Sequence, residues 1–444
     1  MDLHEFIAAA EAAGHLVKIE DEVDPHLELA RRAAGLDGRP VLFRRVAGSA
    51  YPVLIGACSD RRYFGMALDV PPDRLIFRLA AALAAPQAPP ALATAACREV
   101  CETAVDLAAL PFLTHYPTDG GAYATAAVVF IDDPDTGPNA SYHRLLRLDH
   151  RRLAARLVER RGTDSAWRKA IQGDGMAGPP AVRPGLPVAI GIGLPLHVLL
   201  AASMAPAPGV DEMTIAQALA PTPMATCANG IRVPAAAEFV LEGRITADLV
   251  NEGPFVDLTG TYDFVRRQPV IEIERITHRR DAVYQALLPG RLEHRLLMGM
   301  PREPTIYAEV NRVACCRNVH ITPGGASWLH AVVQIAKQAP DDGRQAVAAA
   351  FRGHGSLKHV VVVDEDVDIF DPSDVEWAIA TRFQADRGLW VFPDEPASSL
   401  DPSAHHTPGQ KSRSAKMGLD ATIAWDTPAG PRDPAAFRRV KSGD

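Results

Sequence analysis

At 444 residues the chain exceeds what a single hydrophobic core carries, so two or three domains are expected. Its 47% apolar and 23% charged residues are those of a soluble globular protein. A formal charge of -8 leaves no basic footprint for nucleic acid and no cationic face for anionic membrane.

The chain opens with a helical pattern, Leu3, Phe6, Ile7 and Ala10 on one face, stopped at Gly14. Asp2, Glu5 and Glu11 rule out the cationic start of a signal peptide. A strand at His15–Ile19, a helix near Leu27–Ala34 and a strand at Val41–Phe43 follow, the alternation of a small α/β domain. The Pro/Ala-rich stretch Pro86–Ala95 reads as a linker. Beyond it, short strands at Ala122–Asp132, Val188–Ile192 and Val270–Ile276 are separated by turn clusters, which suggests a barrel-like β domain. The longest apolar stretch, Leu186 to Pro208, is broken by Pro and Gly; it reads as a strand, a turn and a helix (Leu196–Met204), not a membrane span. From about Ile306 the α/β pattern returns: a helix over Trp328–Lys337, a strand at His359–Val363, and a helix at Asp374–Thr381 capped by Asp374 or Ser373. Pro428–Asp444 reads as a loose tail. The six cysteines make no CxxC pair, so neither a zinc site nor a disulfide framework is expected, as suits a cytoplasmic protein.

Chemistry concentrates in Glu252-Gly-Pro-Phe-Val-Asp257, two carboxylates five residues apart around a Gly-Pro turn that breaks any helix. Two such acids can divide the work, one charged and orienting, the other delivering a proton. Asn139-Ala-Ser-Tyr-His-Arg144 offers a hard oxygen ligand and a cation that grips carboxylates. Glu212 opens a predicted helix, as a dipole-favoured acid or a ligand. Lys416 precedes a Gly turn in Ser414–Thr422, as a solvated lysine or a phosphate holder.

In this order the segments resemble the UbiD family of reversible decarboxylases, which use prenylated FMN. The resemblance runs from Asp21–Asp24 and Phe64–Leu68 through Val233–Gly243, Glu252–Tyr262, Ile276–Tyr284 and Val363–Asp368 to Trp377–Arg382 and Lys416–Thr422. It implies a multidomain α/β (α+β) protein: an N-terminal α/β domain over residues 1–105, a central split β-barrel flavin-binding domain over 106–305, and a C-terminal α/β domain and tail over 306–444. It implies that Arg144 and Glu252 orient the reacting carboxylate and that Asp257 delivers the proton that replaces CO2. Asn139 and Glu212 then match ligands of Mn (or Mg) bridging to the flavin phosphate, with K nearby. Lys416, Arg160 and Thr125 join Asn139 and Glu212 around the cofactor. Arg160 stands where much of the family has a third, histidine ligand; a gap in the alignment would bring His150 there instead, and Glu159 is a further candidate.

The segment Gly290–Pro304 resembles the family's pocket lining and carries His294 and Arg302, which suit a second anionic group on the substrate. Furan-2,5-dicarboxylate, going to 2-furoate and CO2, is then the leading substrate among aromatic and heteroaromatic acids. A flavin prenyltransferase as cofactor supplier and a homo-oligomer, dimer or hexamer, are implied as partners. Two other readings stay open: a non-catalytic accessory homologue, and an ordinary FMN oxidoreductase.

Overall fold

The computed structural model describes residues 1–102, 104–172, 185–207, 209–407, 410–427 and 430–437. The chain divides into two compact units, Met1–Leu297 and Met298–Asp444. Both mix helix and strand, as the alternating patterns predict.

In the first unit the opening helix Leu3–Ala12 is fixed by a capping box. Asp2 accepts from the Glu5 N–H while Glu5 reaches back to the backbone of Asp2. A four-stranded sheet follows, in the order Val17–Val23, Val41–Val46, Val53–Ile55, Tyr284–Gln285. Its last strand comes from far along the chain and runs parallel to Val53–Ile55.

The larger sheet has nine strands. Along its main path the order is Tyr123–Ala124, Leu145–Arg147, Arg152–Ala155, Arg266–His278, Phe239–Glu252, Leu186–Ile192, Val128–Asp133, Gly137–Tyr142, and Val100–Glu102 pairs with Arg266–His278. The pairings within it are antiparallel. The two long central strands, Phe239–Glu252 and Arg266–His278, pair from Phe239 with His278 down to Glu252 with Arg266. Ile190, Ile192, Phe239, Leu241, Ile245, Ile271 and Ile273 fill the core below them. The expected single strand over Ala122–Asp132 is two strands, Tyr123–Ala124 and Val128–Asp133, with Thr125 between them.

The second unit is built on a five-stranded sheet in the order Cys315–Ile321, His330–Ala336, His359–Asp364, Arg413–Asp420, Leu389–Pro396. Three sequence expectations are corrected here. The helix expected over Trp328–Lys337 is the strand His330–Ala336, hydrogen-bonded on one edge to Cys315–Ile321 and on the other to His359–Asp364. The helix Pro372–Arg382 is capped by Asp371, which accepts from the Ser373 N–H, rather than by Ser373 or Asp374. Lys416, expected on a loop, lies inside the strand Arg413–Asp420. Of the expected tail, residues 430–437 are described and the rest lies outside the described residues. Among the described residues no helix is long and apolar enough to cross a membrane.

Candidate active site

The strand Phe239–Glu252 delivers Glu252 to the edge of the core, where its side chain is fully buried. The chain then turns through Gly253-Pro254 into a two-stranded ribbon, Phe255–Val256 with Tyr262–Asp263. Glycine is obligatory opposite this turn. A Cβ at Gly120 would stand 2.4 Å from the Gly253 carbonyl oxygen, and the Gly120 N–H donates to the Pro254 carbonyl at 2.8 Å. Gly290, at φ +68°, leaves room for the ribbon's tip: a Cβ there would lie 3.1 Å from the Asp257 carbonyl.

Arg144 reaches this loop from the short connection between Gly137–Tyr142 and Leu145–Arg147. Its Nε donates to Glu252 Oε1 at 2.8 Å and its Nη2 to Glu252 Oε2 at 2.9 Å, a two-point pairing across 108 residues. Nη2 also donates to Asp263 Oδ2 at 3.0 Å, and Nη1 lies 3.6 Å from Asp257 Oδ2. The Phe255 ring lies 4.8 Å beneath the guanidinium, and Tyr123 donates its hydroxyl to Glu252 Oε1 at 3.1 Å. Burial works against charge on Arg144. The three carboxylates outweigh it and raise the group above its ordinary range. Asp263 is pulled the other way: burial is overcome by Arg266, Arg144 and Arg156, which hold its carboxyl below the usual range. The expected triad of Arg144, Glu252 and Asp257 is thus assembled. Asp263 and Tyr123 escaped the sequence reading, although Asp263 lies six residues beyond Asp257 in the same acid-rich loop.

His294 joins this cluster. Its Nδ1 accepts the Gly290 N–H at 3.1 Å, which leaves Nε2 to carry the proton as a donor. Burial lowers its pKa, with Asp257 pulling upward and Arg144 and Arg295 reinforcing the decrease. The next-door Arg295 donates to the Leu258 carbonyl at 3.2 Å, tying the helix Leu292–Gly299, which carries both residues, to the loop that carries Asp257.

Asn139 and Glu212 also meet. Asn139 Nδ2 lies 3.0 Å from Glu212 Oε1, and the Ala140 N–H donates to Glu212 Oε2 at 2.9 Å. Glu212 is 5% exposed, and burial pushes its carboxyl up to about 7. Among the described residues no Lys, Arg or His forms an ion pair with it, and no three His, Cys, Asp or Glu side chains gather to hold a metal. Ser141 and Thr163 hydroxyls stand 3.4 and 3.5 Å from Asn139 Oδ1 and bond the buried His143, whose imidazole burial lowers to about 4. Arg160 sits exposed at φ +61° in the turn entering the helix Gly162–Gln172, its N–H bonded to Asp164. His150 is exposed and paired with Asp106. The Thr125 hydroxyl is engaged on both sides by Leu287, donating to its carbonyl at 2.9 Å and accepting its N–H at 3.0 Å.

Within the second unit, Lys416 is 5% exposed and donates to the Gly355 carbonyl at 2.7 Å; burial lowers its pKa. Arg302 lies 5.8 Å over the Trp328 ring. Trp328 meets His354 edge-on at 4.4 Å, and burial followed by Arg302 lowers His354 to about 3. Arg302 and Lys416 therefore flank one neutral histidine.

Domain profiles of 3-octaprenyl-4-hydroxybenzoate carboxy-lyase match along the chain: the N-terminal domain at 7–83, the Rift-related domain at 91–292 and the C-terminal domain at 295–421. Anhydromevalonate phosphate decarboxylase of Methanosarcina mazei is 42% identical, over 95% of this chain and 96% of its own. The UbiD-class enzyme HmfF of Pelotomaculum thermopropionicum, solved with FMN, superposes with a TM-score of 0.90 at 37% identity, covering 99% of this chain and 97% of its own. An evolved dimeric form of HmfF, solved with prFMN, gives 0.87 at 36% identity, covering 99% and 96%. The chain belongs to the UbiD family of carboxy-lyases.

Proposed function

We propose that the chain releases CO2 from a small unsaturated acid that carries a second anionic group, using prenylated FMN as its electron sink. The observation that carries this reading is the Arg144–Glu252 pairing, whose guanidinium presents Nη1 toward Asp257. Losing CO2 leaves a carbanion that no ordinary side chain can stabilise, and the flavin supplies that sink when bound. The chain's own residues do the rest. Arg144, held by Glu252, grips the departing carboxylate, and Asp257 delivers a proton to the carbon left behind. Structures similar to this chain hold FMN and prFMN, which supports the same cofactor here.

The donor set fits a phosphate-bearing flavin with a divalent cation. Glu212 is a buried carboxylate with no basic partner among the described residues, and it lies against the Asn139 amide. Two hard oxygens suit Mn or Mg, whose remaining ligands would be phosphate and water. The family resemblance assigns Lys416 and Arg160 to the flavin phosphate, Thr125 to the cofactor, and K as an accessory ion. A flavin prenyltransferase would supply the cofactor, and a homo-oligomer is the expected assembly.

His294, as an Nε2 donor, and Arg302 are assigned to the second anion. Five curated relatives are named for anhydromevalonate phosphate, so that acid replaces furan-2,5-dicarboxylate as the first to test. Both acids carry a carboxylate and a distal anion, the pattern His294 and Arg302 suit. The test is CO2 release from each acid by protein co-expressed with a flavin prenyltransferase, alongside the mass of the extracted flavin. Arg302→Ala should raise KM for both of these acids and spare acids without a second anionic group. Failure to release CO2 from either acid, or a flavin of unprenylated mass, would overturn the reading.

A further inference from the structure

Arginine has five N–H groups and can meet carboxylates along two edges, Nε/Nη2 and Nη1/Nη2. In Arg144 the first edge is filled by Glu252. The second is half filled, because Nη2 also donates to Asp263 Oδ2 at 3.0 Å. The two N–H groups left over are both on Nη1, and Asp257 Oδ2 stands 3.6 Å from that nitrogen. Asp263 is itself anchored. Its Oδ1 accepts the Phe264 N–H at 2.9 Å and a bond from Arg266 Nη1, and Arg156 Nε lies 3.7 Å from its Oδ2. Its side chain is only 11% exposed.

A substrate carboxylate arriving at Arg144 therefore finds one nitrogen, on the Asp257 side. That restriction has a catalytic use. A two-nitrogen grip would stabilise the carboxylate before scission and vanish as its charge leaves with CO2. Such ground-state binding lowers turnover rather than raising it. We propose that Asp263 is a positioning residue that limits Arg144 to a single-nitrogen grip on the substrate carboxylate and directs that carboxylate to Asp257. The inference rests on the reading that Arg144 binds the substrate carboxylate.

The test uses holoenzyme carrying Asp263→Ala or Asp263→Ser, both side chains being too short to reach Arg144. KM should fall by about tenfold, the change expected for one gained contact of ~1.4 kcal/mol, while kcat also falls. Calorimetric binding of benzoate, a bare carboxylate probe, should tighten by a similar factor. The gain should survive in Asp263→Ser/Arg266→Gln, which removes the guanidinium that Asp263 releases. An unchanged or raised KM, unchanged or weaker benzoate binding, or loss of the gain in the double variant overturns the proposal; Asp263 would then only steady Arg144. Arg144→Gln separates the two levels. If it leaves benzoate binding intact, the grip by Arg144 itself is wrong. If it abolishes binding while the Asp263 variants gain nothing, only the role of Asp263 falls. Flavin content of each variant reports folding, and either Asp263 variant alone suffices for the reading.

Discussion

Replacing Glu252 by Gln is a severe test of the site. Three donors converge on this buried carboxylate: Arg144 Nε at 2.8 Å, Arg144 Nη2 at 2.9 Å and the Tyr123 hydroxyl at 3.1 Å. A glutamine offers one acceptor oxygen and one NH2. The cheaper rotamer puts its oxygen where Oε1 was, so Nε and Tyr123 keep a neutral acceptor. Nη2 then faces an NH2 and loses a charge-assisted bond, a cost of about 1.5–3 kcal/mol. Weakening the Nε bond from charged to neutral adds about 1 kcal/mol. Asp263 still neutralises Arg144, so the total stays below the cost of a bare buried charge, roughly 3–5 kcal/mol. The sum, roughly 3 kcal/mol, falls on the orientation of Arg144. It predicts a loss of about 10²-fold in kcat/KM at unchanged flavin content. The assay is CO2 release by holoenzyme, normalised to bound prenylated flavin. A variant that retains kcat/KM within about fivefold of the parent would show that this pairing does not orient the reacting carboxylate.

Asp257→Asn removes the proton donor while keeping its shape and its acceptor for the Leu258 N–H. Turnover should fall by roughly 10²–10⁴-fold, and so should exchange of product C–H for deuterium in D2O; undiminished exchange would remove Asp257 from the proton step. Gly120→Ala touches no reacting group, yet its Cβ would stand 2.4 Å from the Gly253 carbonyl oxygen, so the loop joining Glu252 to Asp257 must shift and activity should collapse. Normal kcat in a folded Gly120→Ala protein would contradict the importance of that loop. Glu293 is buried and accepts the Gly56 and Cys58 N–H groups at 2.9 and 3.0 Å; burial raises its carboxyl from 4.5 to about 7. A raised acid means that the folded state holds its proton longer than the unfolded chain, so stability is full below about 4.5 and is lost as pH rises to about 7. The loss is on the order of 3 kcal/mol, and Glu293→Gln should flatten that part of the melting-temperature profile; an equally steep profile in the variant would assign the slope elsewhere.

Some of the molecule follows from local sequence alone. The capping box at Asp2 and Glu5, the apolar runs of Leu186–Ile192 and His359–Asp364, and the helix opened by Glu212 need only neighbours in the chain. The same holds for the Gly-Pro turn between Glu252 and Asp257, because Gly and Pro dictate backbone geometry wherever they stand. Order along the chain was also enough to bring Arg144, Glu252, Asp257, Asn139 and Glu212 under suspicion.

Tertiary structure decided what depends on partners distant in sequence. The run from Trp328 to Lys337 has residues compatible with a helix, and it becomes the strand His330–Ala336 because strands on both sides supply its hydrogen bonds. Lys416 stands two residues before Gly418 in a segment that reads as a turn, but pairing of its strand with His359–Asp364 and Leu389–Pro396 makes it a buried strand residue. No spacing rule links Asp263 to Arg144, 119 residues away. Only the folding of the ribbon Phe255–Val256 with Tyr262–Asp263 against the long sheet puts that third carboxylate on the guanidinium. Residue type sets what each group can do. Which of the five N–H groups of Arg144 remain for a substrate is a matter of three-dimensional occupancy.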